Sequence, residues 1–465
     1  MPHSLDPFRK KHALSFEQLF KPGKDAMIGM SPLESQCNRP LKMSFEDHLR
    51  ALVFFHLEEH KSAQHLLQVL EQDDFARNEI APKEGIKKSS FSEATNSRGL
   101  EQFMYVFKNL QARATKVLPN RHPDFGNLVG IDGSLIDATL SMYWADYRKG
   151  AKKAKVHVGF DLNRSIPRKI FLTDGKGAER PFVSQILSPG ETGVMDRGYQ
   201  CHKKFDLWQE DNKLFMCRIK AKTRKKVIKV NQIDPNSIVF YDAIVLLGTA
   251  GINQTEKPVR LVGYEVDAVK YWIATNRLDL SAEQIAAAYK LRWDIENFFA
   301  WWKRHLKVYH LIARSEHGLM VQILAGLITY LLLAIYCYEQ HNEKVSIKRV
   351  RQLRIKIQNE LRNSYCNTDS FQISKSRMTC THMQKLNRNL LENNKSIKKN
   401  PAWITDRVFG FSIYALLIHR ALRMKNIKLL EIISQVFSFV GPENSQGKAY
   451  QRPQVYRTPC MITLI

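Results

Sequence analysis

The feature that most constrains the fold of this chain is an uncharged, largely apolar run of 19 residues at positions 319–337. A helix of this length would be about 30 Å long, which is enough to cross a bilayer. The run contains Gln322, Thr329 and Tyr330, and basic residues flank it on both sides, so no inside–outside bias is readable. We therefore predict a buried helix at the centre of a soluble domain, with a membrane span as the alternative.

The charge of the chain points to a polyanionic partner. The 465 residues are enough for two or three domains, and they include 71 Lys and Arg against 45 Asp and Glu, a net charge of +26. Such an excess attracts nucleic acid first, although ribosome-associated and membrane-surface proteins share it. We expect a nucleic-acid-binding protein.

The cysteines indicate neither disulfides nor zinc. All seven are scattered without a Cys-x-x-Cys pair, which argues against a disulfide framework and a zinc ribbon. Cys380 and His382 are the nearest approach to a metal set, and they lack partners at ligand spacing. No apolar signal core follows the first residues, so we expect a cytoplasmic protein.

A polar stripe characterises the segment 283–307, which we predict to be one helix. Tyr289, Arg292, Glu296 and Lys303 are separated by three, four and seven residues. At roughly 100° per residue they share an arc of about 60°. The opposite face is apolar and can be buried; it carries Leu291, Ile295, Phe298, Phe299 and Trp302.

Two aspartates end predicted strands in the region before this helix. We predict a strand at 128–131 that closes on Asp132, and within 193–199 a strand that ends on Asp196 and is followed by a tight turn. Between them we predict a hairpin from 155–161 and 168–173 and a short helix at 182–187, and after them a helix at 200–212. The block 213–276 is rich in strand patterns, which cover 214–219, 227–230, 238–247, 259–264 and 271–274.

Asp132, Asp196 and Glu296 form a plausible ligand set for hard divalent cations. Mg²⁺ prefers oxygen ligands and keeps positions for water and substrate phosphates. Three carboxylates from two strand ends and one helix can hold two ions roughly 4 Å apart, as phosphodiester chemistry requires. Each residue alone is weak evidence, since Asp before Gly often makes a turn. Asp137 is an alternative first ligand.

These residues resemble a known family. Asp132, Asp196 within Asp-Arg-Gly-Tyr, and Tyr-x2-Arg-x3-Glu-x6-Lys at 289–303 are similar to the motifs of bacterial insertion-sequence DDE transposases of the IS-four-like group. The resemblance covers about residues 125–335. It implies an α/β fold of the RNase H-like (retroviral-integrase-like) type: a mixed sheet with a β-rich insertion at about 213–276, before the helix that carries the Glu.

The resemblance also implies an activity and roles for residues. The family performs cut-and-paste transposition with Mg²⁺ or Mn²⁺: water cuts the transposon end, and the freed 3′-hydroxyl attacks first the opposite strand and later the target. Asp132, Asp196 and Glu296 would be the ligands of two ions, and Tyr289, Arg292 and Lys303 would contact phosphates. Arg197 would contact DNA, and Trp272 resembles the aromatic that stacks a flipped base, although a core tryptophan is the competing interpretation. Double-stranded DNA with terminal inverted repeats, target DNA and a homodimer are the implied partners.

Three regions are expected along the chain. Residues 1–118 would be a helical DNA-binding region, with an irregular start at 1–40 and helices at 44–57, 62–70 and 100–117. Ser90 and Glu93 match a capping box that opens a further helix, so this region is either a helix-turn-helix-like DNA reader or a plain helical cap. Residues 119–340 would be the catalytic domain. Residues 341–465 would be helical and basic, with an exposed linker at 386–400 and a helix at 405–439.

Rival functions remain at this point. A non-catalytic DNA-binding regulator would not need three carboxylates, and another RNase H-like nuclease would not need the Tyr-Arg-Glu-Lys pattern or the large insertion. A membrane protein rests only on residues 319–337.

Overall fold

The computed structural model describes residues 15–33, 41–73, 75–82 and 84–372, with side chains up to Glu360. The linker predicted at 386–400, the helix predicted at 405–439 and the Cys380–His382 pair lie outside these residues. The boundaries that we placed at 118 and 340 stay predictions.

A ten-stranded mixed sheet organises the described part of the chain. Its strands are β1 (Leu128–Ala138), β2 (Asp146–Arg148), β3 (Ala151–Asp161), β4 (Ile166–Asp174), β5 (Thr192–Met195), β6 (Leu214–Arg218), β7 (Lys225–Val230), β8 (Val239–Leu247), β9 (Val259–Val266) and β10 (Val269–Thr275). The order is β2-β3-β1-β5-β6-β10-β9-β8-β7, with β4 paired to β3. β1, β5 and β6 are parallel, and every other pair is antiparallel.

Eleven α-helices accompany the sheet in the described residues. They are α1 (Ser15–Ala26), α2 (Phe45–Leu57), α3 (Ala63–Gln72), α4 (Lys88–Ser97), α5 (Leu100–Val117), α6 (Arg180–Ile186), α7 (His202–Glu210), α8 (Ala282–Lys290), α9 (Trp293–His305), α10 (Glu316–His341) and α11 (Ile347–Gln372).

Alternation along the strands buries both faces of the sheet. In β1, Val129 and Ile131 join the core under α6 and α7, whereas Leu128 and Ile136 join the core shared with α8, α9 and α10. Side chains of successive strand residues point to opposite faces, so one strand can serve two cores. The RNase H-like mixed sheet with helices at both ends is confirmed.

The β-rich block before the Glu-bearing helix extends the sheet itself. β6 pairs in parallel with β5, and β10 pairs with β6, so β7 to β10 continue the hydrogen-bonded ladder outward. The strands we predicted from 214 to 275 are all present, each within a few residues of its expected bounds.

Helix α10 is the buried core helix that the uncharged run predicted. It is the one helix in the described residues that is long and apolar enough to cross a membrane, but 94% of its most apolar window is buried inside the protein. α2, α4 and α5 pack against it. The helices near the N-terminus therefore share a core with the helices under the sheet.

Four expectations at the level of single elements are wrong. Residues 15–26 are helical rather than irregular, and Ser90 lies inside α4, whose N-cap Lys87 makes no side-chain capping bond. The capping box instead opens α2, where Ser44 and Asp47 bond reciprocally. β1 continues six residues beyond Asp132, because β3 pairs with it along that length. The segment 283–307 is two helices, α8 and α9.

Candidate active site

Asp132 and Asp196 lie side by side at one edge of the sheet. The parallel ladder of β1 and β5 ends with the pair Ile131 and Met195, so the two aspartates follow on neighbouring strands. Neighbouring strands are about 4.8 Å apart. The carboxyl ends of parallel strands form the edge at which α/β sheets generally bind ligands.

Helix α9 brings Glu296 to the same edge. It packs against β1, and Ile295 of α9 lies in van der Waals range of Gly130. Ile295 is fully buried, and Glu296, the next residue, is only partly buried. The apolar face of α9 thus positions the carboxylate at the rim of the core.

The boundary between α8 and α9 is a tightened turn. The amides of Leu291, Arg292, Asp294 and Ile295 all bond to the carbonyl three residues earlier, at 3.2, 3.0, 2.9 and 3.3 Å. Such i to i−3 bonds belong to 3₁₀ geometry, which turns the chain more tightly than an α-helix. The polar stripe therefore does not follow one uniform helical wheel.

Arg292 supplies a positive charge that interacts with all three carboxylates. Its side chain is buried, with the residue 6% exposed, and its Nη1 donates to Glu296 Oε1 at 2.5 Å. Asp132 and Asp196 are also close enough to interact with it electrostatically. The guanidinium thus pairs with Glu296 and lowers the electrostatic cost of the charges on Asp132 and Asp196.

Two buried polar atoms beside this cluster have no hydrogen-bond partner within the described residues. They are the Tyr289 hydroxyl and Arg292 Nε. Burial raises the pKa of Tyr289 far above its usual value, so the hydroxyl keeps its proton. Buried polar groups are normally paired, so both atoms are candidates for a bound substrate group.

Asp132 is in an environment that disfavours its charge. Burial raises its pKa to about 6, and Glu179 and Glu296 push in the same direction, against the Gly133 amide and Arg292. A positive ion at this edge would remove that penalty.

The donor set suits a hard cation, although the side chains are not arranged as ligands. No group of three His, Cys, Asp or Glu side chains in the part of the chain the structure describes is close enough to hold a metal ion. The ion pair of Glu296 with Arg292 is one reason. Carboxylate oxygens alone, with no nitrogen or sulfur donor, match Mg²⁺ or Mn²⁺.

Lys303, which was predicted to contact phosphates, and Asp137, the alternative first ligand, are both bonded within the protein. Lys303 Nζ donates to the Leu135 carbonyl of β1 at 2.5 Å, and burial lowers its pKa. Asp137 is paired with Lys153 at 2.5 Å, and its side chain is 83% exposed. Asp137 thus lies on the same strand as Asp132 but outside the cluster.

Arg197 and Trp272 lie at the same sheet edge, on its other side. Arg197 follows Asp196 directly and is exposed. Trp272 is half-buried, and its backbone carbonyl accepts from Ile219, the residue just after β6. Lys225 Nζ lies 4.1 Å from the Trp272 ring centroid, and Phe240 and Tyr241 meet the ring edge-on. One neighbour of Trp272 is therefore a cation.

Glu179 is a neighbour of the site that sequence reasoning missed. It pairs with Lys155 at 3.3 Å, and a Cβ at Gly133 would be 2.9 Å from its Oε1. It also raises the pKa of both Asp132 and Tyr199. No motif spacing marks Glu179, because it comes from the loop before α6 and reaches the site only through the fold.

Residues 125–332 match the family model described as "Transposase DDE domain". This range begins just before β1 and ends inside α10, so it includes all three carboxylates and the whole sheet.

Curated relatives carry related names. The chain is 28% identical over 206 residues to a "Probable transposase for insertion sequence element IS5377" of Geobacillus stearothermophilus, covering 44% of this chain and 54% of the relative. It is 30% identical over 214 residues to "Putative transposase y4zB" of Sinorhizobium fredii, covering 44% and 59%. A "Putative transposase for insertion sequence element IS4SA" of Synechocystis is 26% identical over 282 residues, covering 58% and 78%. The chain spans between half and three-fifths of the length of the first two relatives.

Proposed function

We propose, from the premise that residues 125–332 belong to the transposase DDE domain family, that this chain is a DNA transposase. It would cut the ends of a transposon and join them to target DNA. The observations that support the proposal are that Asp132 and Asp196 follow neighbouring parallel strands, and that Arg292 pairs with Glu296 and interacts electrostatically with both aspartates.

Asp132, Asp196 and Glu296 would hold Mg²⁺ or Mn²⁺. Two such ions, when bound, activate the attacking oxygen and stabilise the leaving oxygen of a phosphodiester. Glu296 would leave the Arg292 guanidinium to do so, which would free Arg292 for a phosphate. The raised pKa of Asp132 supports this arrangement, since its carboxylate lacks a sufficient countercharge.

The other polar residues would bind and orient DNA. Arg292 can donate two parallel bonds to a phosphate, and the unpartnered Tyr289 hydroxyl can donate one more. Lys303 would have to give up its bond to the Leu135 carbonyl before reaching DNA. Arg197 is exposed at the rim, and Trp272 would need its cationic neighbour Lys225 to move before a base could stack there.

The partners follow from the same proposal. They are double-stranded DNA with terminal inverted repeats, target DNA, and a second copy of the chain that holds the other transposon end. We place this reaction in the cytoplasm, on the nucleoid, and not at a membrane.

The two alternative functions predict different behaviour toward DNA. A DNA-binding regulator would bind without cutting, and another RNase H-like nuclease would cut without requiring terminal repeats.

The test compares wild type with Glu296→Gln on a duplex that carries the terminal inverted repeat bordering this reading frame. We expect both proteins to bind, and cleavage with Mg²⁺ to fall by on the order of 10³-fold or more in the variant, because a ligand that neutralises charge at the reacting phosphate is lost.

Asp294→Asn is the matched control. Asp294 is two residues away on the same helix, but its charged neighbours are His122 and Arg121 rather than the site. It should cut as wild type does. Equal cutting by wild type and Glu296→Gln would refute the assignment, and cutting of any duplex irrespective of the repeat would favour the nuclease.

A further inference from the structure

A cleft lined by cations opens beside Asp196, on the face of the sheet that α6 and α7 cover. Its volume is about 760 Å³, and its cationic wall consists of Arg180, Arg197, Lys203 and Lys220. These residues come from the start of α6, the turn after β5, the first turn of α7 and the segment just after β6. Since β5 and β6 are parallel, their carboxyl ends bring Arg197 and Lys220 to the same edge as Asp196.

The cations of this cleft are largely uncompensated. In the part of the chain that the structure describes, the side chains of Arg197, Lys203 and Lys220 make no ion pair and no hydrogen bond, and all three are exposed. Nearby Lys213 and Lys257, by contrast, pair with Asp211 and Glu210 at 2.9 and 3.5 Å.

The two acids of the cleft do little to cancel this charge. Asp206 is buried, and its oxygens accept from the amides of Glu256 and Lys257 at 3.1 and 2.9 Å. Glu256 is the other acid in the lining. The lining thus has four cations against two acids, one of which is already occupied by backbone donors.

The far wall of the cleft is a fixed loop between β8 and β9. Besides the Asp206 bonds, the His202 ring donates from Nδ1 to the Asn253 carbonyl at 2.7 Å and accepts at Nε2 from Gln200 Nε2 at 3.1 Å. The loop begins at Gly248, whose φ is 105° and where a Cβ would collide with the Asn253 carbonyl, so a side chain is excluded.

Gln200 extends this network to Lys220, two residues after β6. Its Oε1 accepts from the Lys220 amide at 2.9 Å, and its Nε2 also donates to Thr223. The backbone that presents Lys220 is therefore held in place before any ligand binds. A preorganised wall of this kind reduces the entropic cost of binding.

We propose that this cleft binds the phosphodiester backbone of the DNA strand that leaves the active site next to Asp196. The inference rests on the proposed function and deepens it, since it assigns the path of DNA beyond the scissile phosphate. Separated cations from four segments match a chain of phosphates better than one small anion. The strand comes either from the donor DNA that flanks the transposon end or from the target.

The test uses the full chain and two charge-matched double variants. Lys203→Gln with Lys220→Gln removes two charges from the cleft, and Lys226→Gln with Lys229→Gln removes two exposed charges from β7. Affinity for a repeat duplex that includes flanking donor DNA is measured against salt concentration. Each lost phosphate contact lowers the salt slope by ~0.9. If flanking donor DNA lies in the cleft, we expect the cleft variant to lose about two such units. The β7 variant should match wild type in every case.

Two further measurements, binding of a pre-cleaved end and joining of that end to a plasmid, identify the strand. If the flanking donor DNA lies in the cleft, the cleft variant weakens on the flanked duplex by on the order of tenfold and binds a duplex ending at the cleaved transposon end normally. If the target lies there, both duplexes bind normally, and joining of the pre-cleaved end to a plasmid falls by a similar factor. Either result supports DNA binding in the cleft and identifies the strand that is bound there.

Two results would overturn the proposal that the cleft binds this strand. One is equal salt slopes with equal joining for the cleft and β7 variants. The other is weaker binding of the pre-cleaved end itself, which would place the contacts on the transposon end.

Failure of the proposed function looks different. A wild-type protein that binds the flanked duplex but never cuts or joins DNA refutes the transposase proposal, while the salt slopes still report on the cleft.

Discussion

The carboxylate edge and the helix α10 both carry buried polar side chains, but those of α10 itself are hydrogen-bonded and two at the carboxylate edge are not. On α10, Gln322 and Thr329 are fully buried and satisfied: Gln322 bonds to the His310 carbonyl at 2.8 Å and the Ile312 amide at 3.0 Å, and Thr329 bonds to the Ala325 carbonyl at 2.7 Å. At the carboxylate edge, Arg292 Nε and the Tyr289 hydroxyl are buried with no partner in the described residues.

This difference separates polar groups that build the fold from polar groups that await a ligand. A satisfied buried network specifies one packing arrangement, and breaking it costs stability. Unsatisfied groups are destabilising in the free protein and are kept where they serve binding or chemistry. Substitutions at the first region should therefore change stability, and substitutions at the second should change activity.

Arg292→Ala should give the largest effect on activity. If it lowered stability instead, the contrast between the two regions would not hold. We expect cleavage of repeat DNA to fall by about 10²- to 10³-fold, because a cation aimed at the phosphate is lost. The midpoint of urea unfolding should change little, since Glu296 is partly solvated and its charge can be hydrated. Single-turnover cleavage and urea unfolding measure the two.

Arg292→Lys is the companion variant. It keeps the charge but not the planar fork that donates two bonds, so we expect its rate to lie between those of wild type and Arg292→Ala. Wild-type kinetics in Arg292→Ala would show that the guanidinium serves only Glu296.

Gln322→Leu should give the next largest effect, and it should lower stability rather than activity. It leaves the partly buried His310 carbonyl and Ile312 amide without their side-chain partner, which should cost about 1–3 kcal/mol in the free energy of unfolding. Cleavage per folded molecule should stay at the wild-type level. Met320→Leu on the same helix, a swap of similar volume, should cost less than about 1.5 kcal/mol. A Gln322→Leu variant that is stable but inactive would contradict the division.

The features that the sequence made predictable have local causes. Asp132 and Asp196 each follow a short apolar run, and alternation along such runs predicts a strand and its end. Parallel strands then bring their carboxyl ends together, which placed the two aspartates side by side. The uncharged run of α10 was equally readable, because a helix apolar on all sides must be buried.

The features that the sequence did not reveal depend on contacts between distant segments. The turn at Leu291 and Arg292 breaks the helix although both residues suit a helix, and no Gly or Pro marks it. Lys303 bonds to a carbonyl 168 positions away, and Glu179 reaches Gly133 across the fold. The cleft beside Asp196 also draws its cations from four separate segments, which no linear spacing indicates.

The smallest predicted effect is a pH dependence of stability that His48 contributes on the structural side of the comparison. Burial lowers its pKa to about 3, with Arg98 acting in the same direction. Its Nε2 lies 3.0 Å from Thr95 Oγ1, which itself donates to the Phe91 carbonyl, so the neutral ring is the donor in a complete chain of bonds. The unfolded chain binds a proton near pH 6.5 and the folded protein does not, so the contribution of His48 is full above pH 6.5 and is lost as the pH falls toward 3.

His48→Gln keeps a donor for Thr95 but cannot titrate. Between pH 6 and pH 4, the free energy of unfolding of wild type should therefore fall more steeply than that of the variant, by up to ~1.4 kcal/mol per pH unit. Urea unfolding across this range measures both slopes. His341→Gln, at the exposed end of α10, is the control and should follow wild type. Equal slopes for wild type and His48→Gln would mean that His48 is protonated in the folded protein, and that this buried network, like the carboxylate edge, contains an uncompensated charge.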